Sequence, residues 1–258
     1  MGLLTGRRAL VTGVANKRSI AWAIAKALSR EGAELALTYQ HDRFKANLEK
    51  LLPELPPSTI SLPLDVADDE SLAAMAATLQ AKWGHLDHLV HSIAFAKADD
   101  MAGRFADTSR DGYALAQDVS AYSLVALTRS VLPMLQAAGG GSVVTMTALG
   151  GERVMPSYNV MGVAKAALEA SLRYLAWELG GDNIRVNAIS AGPLRTLAAA
   201  GVRSAHTAMN QLPERSPLRR NITQEDVGDA AAFLLSDWAR NITGQVLYVD
   251  AGYHIMAQ

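Results

Sequence analysis

The sequence predicts an α/β fold: a single-domain, doubly wound (Rossmann-type) parallel sheet of seven strands with helices on both faces. Short apolar runs alternate with stretches of helical period along all 258 residues, and such alternation implies parallel strands joined by right-handed crossovers. Hydrophobic residues make up 50% of the chain, which is enough for one large core. No repeat, low-complexity tract or linker divides the sequence, so residues 1–258 are expected to form one domain.

The predicted elements follow from local pattern and from the residues that flank each run. The predicted strands are Arg8–Gly13, Glu34–Tyr39, Thr59–Leu64, Leu86–His91, Gly141–Thr147, Ile184–Ser190 and Gln245–Val249. The predicted helices, most of them flanked by Gly, Pro or Asp, are Ser19–Glu31, Asp42–Leu52, Asp69–Trp83, Asp111–Ala137, Pro156–Leu179 and Gln224–Leu235. Ligands of such sheets bind beyond the carboxyl ends of the strands. Six residues at those ends are therefore candidates for a site: Gly13, Gln40, Asp65, Ser92, Thr147 and Ser190.

Composition excludes several functional classes. The formal charge is −1 and no basic block is present, which argues against nucleic acid as the main partner. Cysteine is absent, so disulfides, a thiolate nucleophile and cysteine-bound metals are excluded. The six histidines have no metal-ligand spacing, and we predict no catalytic metal. No stretch is typical of a signal peptide or a membrane span, so a cytoplasmic enzyme without membrane contact is expected.

The first strand and helix predict an anion site. Gly13 permits a sharp turn after the strand, and Ser19 is the predicted N-cap of a helix that begins at Ile20. The free amides at the start of a helix can bind a pyrophosphate. Residues 14–18 contain no second or third glycine, so the turn is not the usual Gly-x-Gly-x-x-Gly fingerprint.

Tyr158 and Lys165 are the candidate catalytic pair. Residues seven apart lie two turns apart on one face of a helix, so the phenol and the ammonium can reach one cleft. There the ammonium is expected to lower the pKa of the phenol and to hold a sugar hydroxyl. Taken alone, the pair is better explained by an ordinary helix with one Tyr and one Lys on the same side, because short spacings recur by chance.

These features occur in one order along the chain, and the sequence resembles the short-chain dehydrogenase/reductase family. Within that family it is similar to the enoyl-acyl carrier protein reductases of bacterial fatty-acid synthesis. The stretches that carry the resemblance are Gly13 with Ser19-Ile20-Ala21, Thr38-Tyr39-Gln40, His91-Ser92-Ile93-Ala94, Tyr158 to Lys165, Arg219 to Thr223 and Val249 to His254. General short-chain reductases show Tyr-x3-Lys, whereas position 162 is Gly here.

The resemblance implies NADH as cofactor. Gln40 is neutral at the strand end where a carboxylate selects NAD and a nearby cation accommodates a 2′-phosphate. Members with a neutral residue here tend to use NADH, and Arg43 and Lys45 follow on a predicted helix, where they are expected to face solvent. Asp65 is expected to accept from the adenine amino group, although it could instead cap the helix that follows.

Further cofactor contacts are implied by the same resemblance. Val66 and Ile93 would pack on adenine, although a plain core role competes for Ile93. Ser92 and Ala94 would pass beneath the cofactor. The backbone of Leu194 would grip the nicotinamide carboxamide, and the Thr196 hydroxyl a phosphate.

The implied reaction is hydride transfer from the nicotinamide to the β-carbon of an enoyl thioester carried by acyl carrier protein. Tyr158 would hydrogen-bond the oxygen on which enolate charge develops, and Lys165 would bind the ribose hydroxyls. Substrate contacts are expected at Ala94, Ala148, Tyr158 and Ala198. Ala198 lies in a small-residue segment within a predicted substrate-binding lid at about 195–212, for which an ordinary surface helix is the alternative.

Ala148 departs from the family pattern. Enoyl reductases carry an aromatic residue, usually Tyr, ten positions before the catalytic Tyr, and Ala148 leaves that side of the pocket wider. Neighbouring Thr147 could then supply a hydroxyl for carbonyl reduction, so a short-chain ketoreductase is one alternative. A non-catalytic dinucleotide sensor is another, against which the Tyr–Lys pair argues.

Two predicted helices also suggest an assembly. Asp111–Ala137 and Pro156–Leu179 are apolar over much of their circumference, so more than their sheet-facing side must be covered. Family members bury such helices in a homotetramer, and the same is expected here, with residues 253–256 packed at another interface.

Overall fold

Seven parallel strands form one sheet in the computed structural model, which describes residues 2–196 and 205–257, the side chains of 205–208 excepted. The strands are β1 Arg8–Val11, β2 Glu34–Tyr39, β3 Ile60–Pro63, β4 His88–His91, β5 Gly141–Thr147, β6 Ile184–Ala191 and β7 Val246–Val249. Their order is β3-β2-β1-β4-β5-β6-β7, so the chain turns from one half of the sheet to the other between β1 and β4. The predicted doubly wound fold is confirmed, and each strand lies within two residues of its predicted bounds.

Helices cover both faces because the strand residues alternate between two apolar cores. The helices are α1 Ile20–Arg30, α2 Asp42–Leu51, α3 Asp69–Trp83, α4 Ala98–Met101, α5 Arg110–Gln117, α6 Ser123–Ala137, α7 Asn159–Leu179, α8 Ala205–Arg215 and α9 Gln224–Leu235. On β1, Val11 packs into the core that contains α1 and α9. The preceding residue, Leu10, points to the other face of the sheet and packs into the core of α3, α6 and α7.

One predicted helix is interrupted. Residues 111–137 do not form a continuous α-helix, because a π-helical turn, Asp118–Tyr122, separates α5 from α6. On this turn the Ser120 hydroxyl accepts from the amide of Phe95 and donates to its carbonyl, both at 2.9 Å. The wider turn therefore anchors the segment that follows β4, beyond the carboxyl end of that strand.

Short helices outside the predicted set also occur. These are α4 and α8, and α8 begins within the predicted lid at about 195–212. Residues 197–204 of that predicted lid lie outside the described part of the chain. None of the described helices is both long and apolar enough to cross a bilayer.

Candidate active site

The turn after β1 is shaped by a close approach to the end of β4. Gly13 has φ +88°, and a Cβ atom at this position would collide with the carbonyl oxygen of Ser92. Only glycine meets both conditions without strain. Backbone atoms of Gly13 and Ser92 thus meet at the point where the strand order reverses. This class of sheet binds ligands at that point.

Ser19 occupies the predicted N-cap position but does not cap α1 with its side chain. Its hydroxyl oxygen instead accepts from the amides of Ala15 at 3.1 Å and Asn16 at 3.0 Å. The side chain therefore fixes the loop between Gly13 and the helix. The amides of Trp22 and Ala23 donate to the carbonyl oxygen of Ser19, which leaves the amides of Ile20 and Ala21 at the start of α1 to hold an anion.

Gln40 and Asp65 come together at the ends of β2 and β3. The Gln40 amide donates to Asp65 Oδ2 at 3.3 Å, and the Asp65 Oδ1 accepts from the amide of Ala67 at 3.1 Å. The alternative role of Asp65 as a helix cap is not observed, because Asp68 caps α3 through the amide of Glu70. Asp65 therefore shapes a polar corner beside Gln40.

The predicted adenine contacts divide between core and surface. Val66 is buried in the core beneath α3, and Ile93 is half-buried against the same core. Ile93 thus has the core packing that competed with its cofactor role. Ser92 is half-buried and Ala94 is exposed, so both border the cleft at the end of β4.

Tyr158 immediately precedes α7, between two residues with left-handed backbone. Ser157 has φ 62° and Asn159 has φ 32°, and such conformations cluster at functional sites. The Tyr158 ring packs on Gly150, where a Cβ atom would contact the ring. Burial, and next the charge of Glu169, raise the pKa of Tyr158. The prediction that this pKa is lowered is wrong, because burial and the charge of Glu169 both raise it, and the phenol stays protonated at neutral pH.

The packing of α7 also explains why the lysine does not stand at position 162. A Cβ atom at Gly162 would lie 2.8 Å from the carbonyl oxygen of Gly150. No side chain fits there while the turn of residues 149–151 rests on α7. Lys165, one turn further along, lies on the same side of the helix as position 158.

Lys165 is buried and bound to the end of β5. Its ammonium donates to the carbonyl oxygen of Met146 at 2.8 Å, and 5% of the residue is exposed. Burial lowers the pKa of Lys165 to about 8, while the charge of Glu169 acts in the opposite direction. The ammonium is thus held in a dry site at the carboxyl end of the sheet.

Thr147 lies at the end of β5 but does not face the cleft with a free hydroxyl. Its Oγ1 donates to Glu169 Oε1 at 2.6 Å, and the residue is 5% exposed. The proton that carbonyl reduction would require from Thr147 is therefore bound inside the protein. Ser190, its partner in the β5–β6 register, is also buried.

Two buried polar residues were not singled out from the sequence. His91 lies between the hydroxyl groups of Thr145 and Ser123, each 2.8 Å from a ring nitrogen. Burial, with the charge of Lys165, lowers the pKa of His91 to about 3, so the ring is neutral. Glu169 is the other, and its place four residues after Lys165 on a helix was a signal in the sequence.

The remaining predicted residues lie around the cleft or outside the described chain. Ala148 is half-buried where β5 ends. Leu194 is buried in the α1–α9 core, and its carbonyl accepts from the amide of Thr196 at 2.9 Å. Ala198 lies outside the described residues. Within the part of the chain that is described, no cluster of three acidic or histidine residues is arranged for a metal.

The doubly wound sheet, the glycine turn at its switch point and the pair formed by half-buried Tyr158 and buried Lys165 define a dinucleotide-dependent oxidoreductase of the short-chain type. The sequence model of the enoyl-(acyl carrier protein) reductase family matches residues 13–254. The chain belongs to this family.

Full-length relatives and solved structures agree with this assignment. The chain is 53% identical to an NADH-dependent enoyl-[acyl-carrier-protein] reductase of Nostoc sp., over 98% of both chains. The corresponding enzyme of Bacillus cereus is 51% identical over 99% of this chain and 100% of the relative.

Two solved structures resemble the fold throughout. One is the Bacillus cereus enoyl-acyl carrier protein reductase with NADP+ and an indole naphthyridinone, with a TM-score of 0.97, 50% identity and full coverage of both chains. The other is the Anaplasma phagocytophilum enzyme in complex with NAD, with a TM-score of 0.94, 44% identity, and coverage of 100% of this chain and 97% of that one.

Proposed function

We propose that this protein reduces the carbon–carbon double bond of an enoyl-acyl carrier protein thioester with NADH, in type II fatty-acid synthesis. The observation that carries the proposal is the Tyr158–Lys165 pair at the start of α7, with Lys165 bound to the carboxyl end of β5. Membership of the enoyl reductase family supports the choice of substrate.

The cleft fits a dinucleotide by its shape and its donors. Gly13 allows the turn after β1 to lie against the carbonyl oxygen of Ser92 without a side chain, and the first amides of α1 can hold the pyrophosphate. Gln40 and Asp65 form the polar corner proposed for adenosine. The residues proposed to complete the cofactor site are Ser19, Ile20, Val66, Ser92, Ile93, Ala94, Lys165, Leu194 and Thr196.

Tyr158 and Lys165 have different roles at the nicotinamide end of the cleft. The bound nicotinamide supplies the hydride. The protonated Tyr158 hydroxyl donates to the thioester oxygen, where negative charge develops, and so stabilises the transition state more than the ground state. Lys165 holds the ribose hydroxyls and adds positive potential from a dry site, where charges act strongly. Ala94, Ala148 and Ala198 are proposed to border the acyl group.

The carbonyl-reducing alternative lacks its extra donor, since the Thr147 hydroxyl is bound to Glu169. The test of the proposed function compares crotonyl and acetoacetyl thioesters of acyl carrier protein, each with NADH and with NADPH. Turnover of the crotonyl thioester with NADH is the expected result. Reduction of the acetoacetyl thioester alone, or of neither, would contradict the proposal.

The preference for NADH over NADPH is inferred from the residues that follow β2. Gln40 is neutral, and Arg43 and Lys45 are exposed on α2. We expect tighter binding of NADH than of NADPH by isothermal titration. Tighter binding of NADPH would point to Arg43 or Lys45 as the contact for the 2′-phosphate.

We further infer a cytoplasmic homotetramer with a lid formed by residues 195–212. Large aromatic side chains project from α7 into solvent in the single chain: Tyr174 is 76% and Trp177 84% exposed. Burying them against other copies would remove an unusual amount of apolar surface from water. A tetramer mass by light scattering at micromolar concentration is expected, and a monomer mass would contradict the inference.

A further inference from the structure

Glu169 is a buried carboxylate one helical turn after Lys165 on α7. The two residues share one face of the helix, and they are 6% and 5% exposed. Removing an ammonium from water favours its neutral form unless a negative charge lies nearby. The position of Glu169 is therefore suited to keep Lys165 charged.

Two contacts hold the Glu169 carboxylate in place; burial raises its pKa, and the hydrogen bond from Thr147 acts in the opposite direction. The Thr147 hydroxyl donates to its Oε1 at 2.6 Å, a length typical of charge-assisted bonds to a carboxylate. On the other side, a Cβ atom at Gly151 would stand 2.8 Å from the same oxygen. The carboxylate is thus held between the end of β5 and the turn of residues 149–151.

Other titratable groups near the pair do not replace this charge. His91 on β4 is neutral because burial lowers its pKa to about 3. The pKa values of Tyr158 and of Tyr248 on β7 are raised, chiefly by burial, so both stay uncharged. Glu152, after the turn of residues 149–151, and Arg173 on α7 are exposed and of opposite sign.

We propose that Glu169 is a positioning residue of the reaction: it is the buried counter-ion that keeps Lys165 protonated, so that the ammonium can bind the ribose of NADH. It acts across one helical turn while the Lys165 ammonium donates to Met146. The inference rests on the proposed function, since that function gives Lys165 its ribose contact.

The electrostatic consequence is a dependence on pH. Burial lowers the pKa of Lys165 to about 8, and Glu169 raises it. Loss of the Glu169 charge therefore lowers this pKa further, toward neutrality. Lys165 would then lose its proton, and with it the charge that holds the cofactor, at a pH where the unmodified enzyme still retains both.

The test is the dissociation constant for NADH between pH 6 and pH 9, with the alkaline limb of kcat/KM measured alongside it. In Glu169→Gln the limb is expected to move down by roughly one pH unit, with near-normal binding at pH 6. Thr147→Val is the matched control, because it removes the hydrogen bond to Glu169 but keeps the charge. Its limb is expected to stay at the wild-type position.

A purely structural role predicts a different pattern. Equal loss of NADH affinity at every pH in Glu169→Gln, or an equal shift in Thr147→Val, would overturn the inference. If circular dichroism shows that Glu169→Gln does not fold, Glu169→Asp takes its place, because it keeps the charge on a shorter side chain. A downward shift of the alkaline limb of kcat/KM by roughly one pH unit in Glu169→Asp would then count against the counter-ion role. Wild-type protein that binds NADH but reduces no enoyl thioester would overturn the proposed function while the binding data still decide the role of Glu169. Wild-type protein that binds no NADH would overturn both.

Discussion

The carbonyl oxygen of Ser92 lies where a side chain at Gly13 would have to stand. The two residues follow β1 and β4, the strands between which the order of the sheet reverses. Their contact closes the floor of the cleft with backbone alone, so a dinucleotide can approach without meeting a side chain. The absence of further glycines in residues 14–18 is compatible with this, because the Ser19 hydroxyl holds the loop through two amides.

Replacement of Gly13 by alanine should impair both folding stability and cofactor binding. Alanine adds left-handed strain of about 1–3 kcal/mol and a collision with Ser92, and relief of the collision must displace the cleft floor. We expect NADH affinity to fall at least about tenfold by titration calorimetry, which corresponds to about 1.4 kcal/mol. Gly84→Ala is the control, since Gly84 has φ +74° but open space around a Cβ atom. An equal loss of NADH affinity in both variants would show that the contact with Ser92 has no special role.

Much of the fold was predictable because strand signals are local. Apolar runs marked all seven strands. The spacing of Tyr158 and Lys165 predicted one helix, Pro156–Leu179, for both, but α7 begins at Asn159, so Lys165 lies on it and Tyr158 immediately precedes it. The π-helical turn was not predictable, because its Ser120 hydroxyl accepts from the amide of Phe95 and donates to the carbonyl of the same residue, 25 residues away in sequence. The hydrophobic periodicity of a short stretch of sequence carries no information on a contact between residues so far apart.

Electrostatics was the least predictable part of the site. The sequence places an ammonium near the Tyr158 phenol, which would lower its pKa, but burial reverses the direction. Burial also keeps His91 neutral, and the Thr147 hydroxyl donates to Glu169 instead of being free for a substrate. These effects depend on which side chains lose water, and that depends on tertiary packing.

The neutral, buried His91 predicts a loss of stability in acid. Its pKa is about 3 in the folded protein and 6.5 when hydrated. The unfolded chain therefore takes up a proton below pH 6.5 that the folded chain does not, and stability falls as pH drops from 6.5 toward 3. The slope from this group approaches about 1.4 kcal/mol per pH unit. Urea unfolding at pH 7.5 and pH 5 should show a smaller difference in His91→Asn than in wild type.

The exposed His41 supplies the control for this experiment. His41→Asn is expected to keep the wild-type pH dependence. If His91→Asn also keeps it, then another group causes the acid sensitivity.

Removal of the Tyr158 hydroxyl should reduce turnover without abolishing cofactor binding. Tyr158→Phe keeps the ring that packs on Gly150 but removes the donor proposed to stabilise the developing charge. Loss of one such donor costs roughly 10²–10³ in kcat. Stopped-flow oxidation of NADH by crotonyl-acyl carrier protein measures this step. Tyr174→Phe, on the exposed side of α7, should keep wild-type turnover, and a normal rate in Tyr158→Phe would remove the phenol from the mechanism.

Substitution of Ala148 tests whether the pocket is shaped for an ordinary enoyl substrate. It is half-buried at the end of β5, two residues before the glycine on which the Tyr158 ring packs. An aromatic side chain buries some 150–250 Å², so Ala148 leaves either wet space or room for a bulkier acyl group. Ala148→Tyr is expected to raise turnover of a short, linear enoyl thioester several-fold, because the ring would dry the pocket and order the thioester.

The control for that variant adds an aromatic ring to the same loop outside the pocket. Val154 is 99% exposed, so Val154→Tyr should leave turnover unchanged. Steady-state kinetics with crotonyl and longer or branched enoyl thioesters distinguishes the two explanations of Ala148. A gain confined to short chains supports a pocket widened for larger substrates. If Ala148→Tyr lowers or fails to change short-chain turnover while Tyr158→Phe still impairs it, then the site has been reshaped around another substrate, and reduction of a carbonyl becomes the reaction to test.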